Sequence, residues 1–158
     1  MRQSRPILIA SSSAIIVAIM GGLASRPGPW YEALKTSALT PPNWVFAPAW
    51  TAIYASCVVA AVLGWRAAQS ASARARLISL FFINAVVNVL WSFLFFTLQR
   101  PDWALAEVAV IWLSVAVLII FLRRLSGLAA LILLPYLIWV SFAAYLNYQV
   151  VVLNGPFG

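Results

Sequence analysis

The side chains best suited to hold or transform a ligand in this chain are indoles and carboxamides, and they recur at helical spacing. In "NAVVNVLWSFLFF", Asn84, Asn88, Trp91 and Phe95 follow one another at intervals of four, three and four. "PYLIWVSFAAYLN" sets Pro135, Trp139, Ala143 and Asn147 four apart, and Trp50, Tyr54, Cys57 and Ala61 run along a third segment. Residues three and four apart share a helix face, so each set forms a stripe. Two carboxamides on one stripe are ill suited to lipid, where an unpaired amide costs several kcal/mol. Such a stripe faces either another helix, as hydrogen-bonded glue, or a cavity. Trp50, Trp91 and Trp139 lie several residues inside their segments, where an indole N–H needs a partner. Large apolar rings with a few placed polar groups are the usual make-up of a small-molecule site, and a cavity wall is the expectation.

Other chemistries lack their parts. The chain has no His and a single Cys, Cys57, which rules out an internal disulfide and a Cys/His zinc site. Haem would lack its usual proximal His. The acidic residues are Glu32, Asp102 and Glu107. Asp102 follows Pro101 at a predicted helix start, where negative charge is favoured. Glu107 is expected to serve structure or to reach the interface, although an acid within a membrane span is by default a functional hypothesis. No paired carboxylates, Ser–His–Asp set, phosphate loop or dinucleotide fingerprint is present. The net charge of +7 comes from ten Lys and Arg scattered between apolar runs, a pattern of membrane topology rather than of nucleic-acid binding.

These residues sit in elements built for lipid. Of 158 residues, 65% are hydrophobic and 8% charged, with a mean hydropathy of +0.99, where soluble domains carry about a quarter charged residues. Five apolar runs, near residues 6–25, 43–66, 77–98, 102–122 and 127–150, match the roughly 20 residues a spanning helix needs. They lack the alternation of barrel strands, and backbone groups in lipid must be satisfied internally. The expected fold is an all-α membrane protein, a single domain of five transmembrane helices. The first run, with Arg2 and Arg5 before it and "GGLAS" after it, has features of a secretory signal but is longer than the usual apolar region of one. Arg2, Arg5, Arg66, Arg74, Arg76, Arg123 and Arg124 fall on the side of the N-terminus, against Arg26, Lys35 and Arg100 opposite. That bias places the N-terminus in the cytoplasm if the membrane is a bacterial inner membrane.

The longest connection, "RPGPWYEALKTSALTPP", is bounded by breakers and is expected to hold a short interfacial helix and to cover an opening. Trp44, Trp65 and Trp103 are expected in the interfacial belt, and Trp112 in either packing or a pocket wall. Ala10, Ala14, Ala18 and Gly22, like Ser56, Ala60 and Gly64, form small faces that permit close helix approach, within one chain or between two. Pro41 and Pro42 suit a helix start, and Pro48 is expected to kink the second span.

Taken together, "TPPNWVFAPAWTAIY", "NAVVNVLWSFLFF" and "LPYLIWVSFAAYLNY", in this order, resemble the tryptophan-rich sensory protein/translocator protein family, over nearly the whole chain. The resemblance implies a five-helix bundle, usually a homodimer, with a pocket toward the first loop that binds porphyrins such as protoporphyrin IX and synthetic isoquinoline carboxamides. Its ligand-binding positions are carried onto Tyr31, Pro42, Trp50, Asn84, Asn88, Trp91, Trp139 and Ala143. Asn84 stands where many relatives have Gln. The cholesterol-contact pattern of some relatives lacks its Lys or Arg after Leu146 and Tyr148, so sterol binding is not expected. A porphyrin is expected as ligand, with no cofactor required, its carboxylates near Arg26 or Lys35. Lipid and a second copy of the chain are the other expected partners. The resemblance also implies alternatives to a receptor, sensor or carrier: transport of a hydrophobic ligand, or light- and oxygen-dependent porphyrin degradation, with Trp50 and Trp139 as electron donors.

Overall fold

A computed structural model describes residues 5–25 and 28–157; Arg2 and Arg26, assigned above to topology and to the loop rim, lie outside them. The elements run α1 (Arg5–Ala24), α2 (Pro29–Glu32), a 3-10 turn (Asn43–Val45), α3 (Phe46–Ala67), α4 (Ala71–Ser92), a π-helical turn (Phe93–Thr97), α5 (Pro101–Leu125) and α6 (Gly127–Asn154). Five helical segments are long and apolar enough to cross a membrane: Pro6–Ala24, Asn43–Ala67, Ala71–Thr97, Pro101–Leu125 and Gly127–Asn154. The short α2 is the interfacial helix expected in the long loop.

Helix starts are set by local chemistry. Ser70 Oγ accepts from the Ala73 N–H at 3.1 Å, so α4 begins at Ala71, six residues before the apolar run does. Arg74 and Arg76 therefore ride on the helix, and the Arg74 guanidinium lies 5.1 Å from the Trp65 ring centre. Ser126 serves two helices. Its N–H closes α5 on Leu122 O at 2.7 Å, and its Oγ accepts from the Ala129 N–H at 3.3 Å. Pro48 falls in the first turn of α3, where a missing N–H is tolerated; it shapes the start of the helix instead of interrupting it. The proline inside a helix is Pro135, in α6.

The core lies where α3, α4, α5 and α6 meet. Ala60, Leu118, Leu122, Ala129 and Leu133 are fully buried, with Leu77 against them. Gly64 makes that contact possible, since a Cβ there would stand 2.6 Å from Leu122 Cδ2 and 3.3 Å from both Leu77 methyls. The small face read along the second span is thus an approach between helices of one chain. α1 leans on α3 and α4 and leaves Leu8, Ile9, Ile15, Ile16 and Leu23 exposed, as a helix bathed in lipid does.

Candidate functional site

Between α1, α3, α4 and α6, beneath the long loop, lies a cavity of about 540 Å³. α1 contributes its smallest residues, Ala18, Gly21 and Gly22. This half of the α1 small face makes room for a cavity. From α3 come Phe46, Trp50 and Tyr54, from α4 Asn88 and Trp91, and from α6 Trp139, Ala143 and Asn147. The rings brace one another. Trp50 stacks on Tyr54 with centres 5.7 Å apart and meets Trp139 edge to face at 6.5 Å. Trp91 stacks on Phe95 at 5.1 Å. The π-helical turn carries Phe95 and Phe96, and both line the cavity.

The polar groups are held just as firmly. Trp91 Nε1 donates to Asn147 Oδ1 at 3.1 Å, and Asn147 Nδ2 donates to the carbonyl of Pro101 at 2.8 Å. This ties α4, α6 and the start of α5 together. Tyr54 Oη, Asn88, Tyr136, Asn84 and Ser114 are linked in series by hydrogen bonds of 2.8–3.3 Å. By contrast, Trp139 Nε1 is buried without a partner among the described residues.

The loop forms a roof fastened at two places. Trp30 and Tyr31 pack edge-on against Phe95 at 6.1 and 6.4 Å. Burial there pushes the Tyr31 hydroxyl above the usual phenol range. Further along, Lys35 exchanges two bonds with the Asn154 carboxamide: its N–H donates to Oδ1 and its carbonyl accepts from Nδ2, both at 2.8 Å. Thr36 and Thr40 line the cavity between these points, and the Lys35 side chain is exposed.

Of the residues singled out from the sequence, Tyr31, Trp50, Asn88, Trp91, Trp139 and Ala143 come together on the cavity wall. Pro42 does not line it. Its carbonyl accepts from the Val45 N–H at 2.9 Å and opens the 3-10 turn. Asn84 also lies outside the lining, one step behind Asn88 in the polar series. Trp44 and Trp103 are exposed, and Trp103 carries the Arg100 guanidinium 4.2 Å from its ring centre. Arg100 Nε donates to Asp102 Oδ1 at 2.8 Å. Trp112 belongs neither to the core nor to the cavity: it is 39% exposed, and its Nε1 donates to Ser141 Oγ at 2.9 Å. Glu107 does not reach the interface; it is buried, and neither carboxylate oxygen has a partner among the described residues. Sequence reasoning passed over Phe46, Tyr136 and Ser114. A phenylalanine at a helix start and a serine in an apolar run carry no distinguishing signal.

Residues 9–153 match the model of the TspO/MBR family. A tryptophan-rich protein TspO of Archaeoglobus fulgidus is 34% identical over 150 residues, covering 93% of this chain and 96% of that protein. The tryptophan-rich sensory protein of Cereibacter sphaeroides is 35% identical over 133 residues, 84% of this chain and 82% of that one. The translocator protein of Sus scrofa is 30% identical over 151 residues, 92% and 89% of the two chains. With five membrane-length helices and a family match over nearly its full length, this chain is an integral, multi-pass membrane protein that belongs to the TspO/MBR family.

Proposed function

We propose that the chain is a receptor, sensor or carrier that binds a porphyrin-like tetrapyrrole in the cavity beneath the loop. The observation that carries this reading is the wall of three indoles, Trp50, Trp91 and Trp139, around about 540 Å³ of space, well within the range of small-molecule sites. A flat, largely apolar macrocycle gains burial and stacking against such rings. Its carboxylates stay toward the loop, where Lys35 is exposed. The Lys/Arg bias puts this mouth on the outer side of a bacterial cell membrane, with the N-terminus cytoplasmic. The chain is proposed to work as a homodimer. Titration of purified protein with protoporphyrin IX, followed by quenching of Trp fluorescence, tests the site. Trp50→Ala and Trp139→Ala are each expected to weaken binding at least fivefold; unchanged affinity in both would move the site elsewhere.

A second reading is favoured by one feature: Trp50 and Trp139 meet edge to face at 6.5 Å on the same wall. Indole is readily oxidised, so either ring can reduce a photoexcited porphyrin, with dioxygen taking up the electron and the porphyrin degraded in later oxidative steps. Illumination of the complex with and without oxygen is expected to give product only with oxygen, and less of it in Trp139→Phe. Equal product from both proteins would remove Trp139 from that chemistry.

A further inference from the structure

The polar series behind the cavity has a direction, fixed from its far end. Ser114 Oγ lies 2.7 Å from the carbonyl oxygen of Ile111. A carbonyl only accepts, so the one hydroxyl hydrogen of Ser114 is committed there. The Asn84 carboxamide approaches the same Ser114 oxygen at 2.8 Å and must present its NH₂. That turns Asn84 Oδ1 toward Tyr136, whose hydroxyl donates to it at 3.2 Å. The Tyr136 oxygen then accepts from Asn88 Nδ2 at 3.1 Å. Asn88 Oδ1 is left to accept from Tyr54 Oη at 3.3 Å. Both carboxamide orientations, usually an arbitrary choice, follow from the Ser114 bond alone. Asn84, Tyr136 and Asn88 are 5%, 2% and 5% exposed, too buried for solvent to compete.

Tyr54 is where this series meets the cavity. Its hydrogen points back at Asn88, so its oxygen offers a lone pair to whatever fills the space. Gly21 of α1 stands opposite. A Cβ at Gly21 would lie 3.6 Å from Tyr54 Oη, and the glycine leaves that oxygen uncovered. Among the described residues, none donates a hydrogen bond to it.

We propose that Tyr54 determines ligand specificity by accepting a hydrogen bond. The site selects a flat, apolar ligand that carries an N–H or O–H donor on the edge reaching Tyr54, over a matched ligand without that donor. This inference rests on the ligand-binding reading above and adds the chemistry that the ligand must present. Ser114, on the groove between α4 and α5 and outside the cavity lining, acts at a distance by setting the direction of the series.

The test uses two probes, a secondary isoquinoline carboxamide and its N-methylated counterpart, titrated by Trp quenching into the full-length protein, Tyr54→Phe and Ser114→Ala. The readout is the ratio of the two Kd values in each protein; comparing ratios cancels what methylation does to shape and partitioning. Tyr54→Phe is expected to cut the preference for the secondary amide about three- to tenfold, the weight of one hydrogen bond. Its affinity for the N-methyl probe stays unchanged, which also reports an intact fold. Ser114→Ala frees Asn84 to turn and is expected to lower the same preference without touching the cavity. Equal ratios in the wild type and Tyr54→Phe would overturn the inference while leaving the pocket in place. A ratio that falls in Tyr54→Phe but not in Ser114→Ala would overturn the role given to the directed series. If the wild type bound neither probe nor protoporphyrin IX, the ligand-binding reading would fall and this inference with it.

Discussion

Trp91 and Trp139 both face the cavity, yet only the Trp91 N–H has a partner, and the two indoles therefore answer differently to the same change. Trp91→Phe leaves Asn147 Oδ1 buried and unpaired, at a cost of about 1–3 kcal/mol. Trp139→Phe removes a donor that has no partner among the described residues and is expected to cost under about 1 kcal/mol beyond the lost ring area. Thermal unfolding in one detergent, with the two variants side by side, checks the order. Asn147→Leu is expected to be worse than either, by about 2–4 kcal/mol, because it strands both the Trp91 N–H and the Pro101 carbonyl. Much of this wall was readable from spacing, since Asn88, Trp91, Trp139, Ala143 and Asn147 fall on helical stripes. What spacing cannot give is depth. Asn84 shares the stripe of Asn88, but one turn further on it points into the helix interface and serves Tyr136 and Ser114. Trp112 was equally opaque, because Ser141 satisfies its N–H on the outer surface.

At the scale of elements, the end of α4 is the unusual piece. The helix widens into the π-helical turn, the Leu98 N–H reaches back to Phe93 O at 2.9 Å, and Gln99 closes the turn with φ at 54°. A side chain is strained there while glycine is not, so Gln99→Gly is expected to raise the melting temperature, by the equivalent of about 0.5–1 kcal/mol. The turn matters because it aims Phe95 and Phe96 at Trp30 and Tyr31, the first fastening of the roof. Asn154 is the second. Asn154→Ala removes both bonds to Lys35 and is expected to speed porphyrin dissociation about three- to tenfold in stopped-flow quenching, with association faster as well. A dissociation rate unchanged within error would show that the roof does not limit exit. The loop's role as a cover was legible from its length and its aromatic residues. Its fastenings were not, because Lys35 and Asn154 are 119 residues apart and nothing local marks either one.

For the molecule as a whole, the five spans follow from the composition, and their boundaries shift only where Ser70 caps α4 six residues ahead of the apolar run. A receptor and a carrier are separated at this scale by proteoliposomes loaded with nothing and offered protoporphyrin IX outside. A receptor is expected to saturate at the stoichiometry of its sites, whereas continued uptake into the lumen would mark a carrier. The bonds between Lys35 and Asn154 bring the long loop and the tail of α6 to one face of the membrane. Anything fused just beyond Asn154, whether an affinity handle or a fluorescent reporter, would tug on the clasp of the cover. Ligand lifetimes measured on such fusions should then come out shorter than those of a chain labelled at its opposite end.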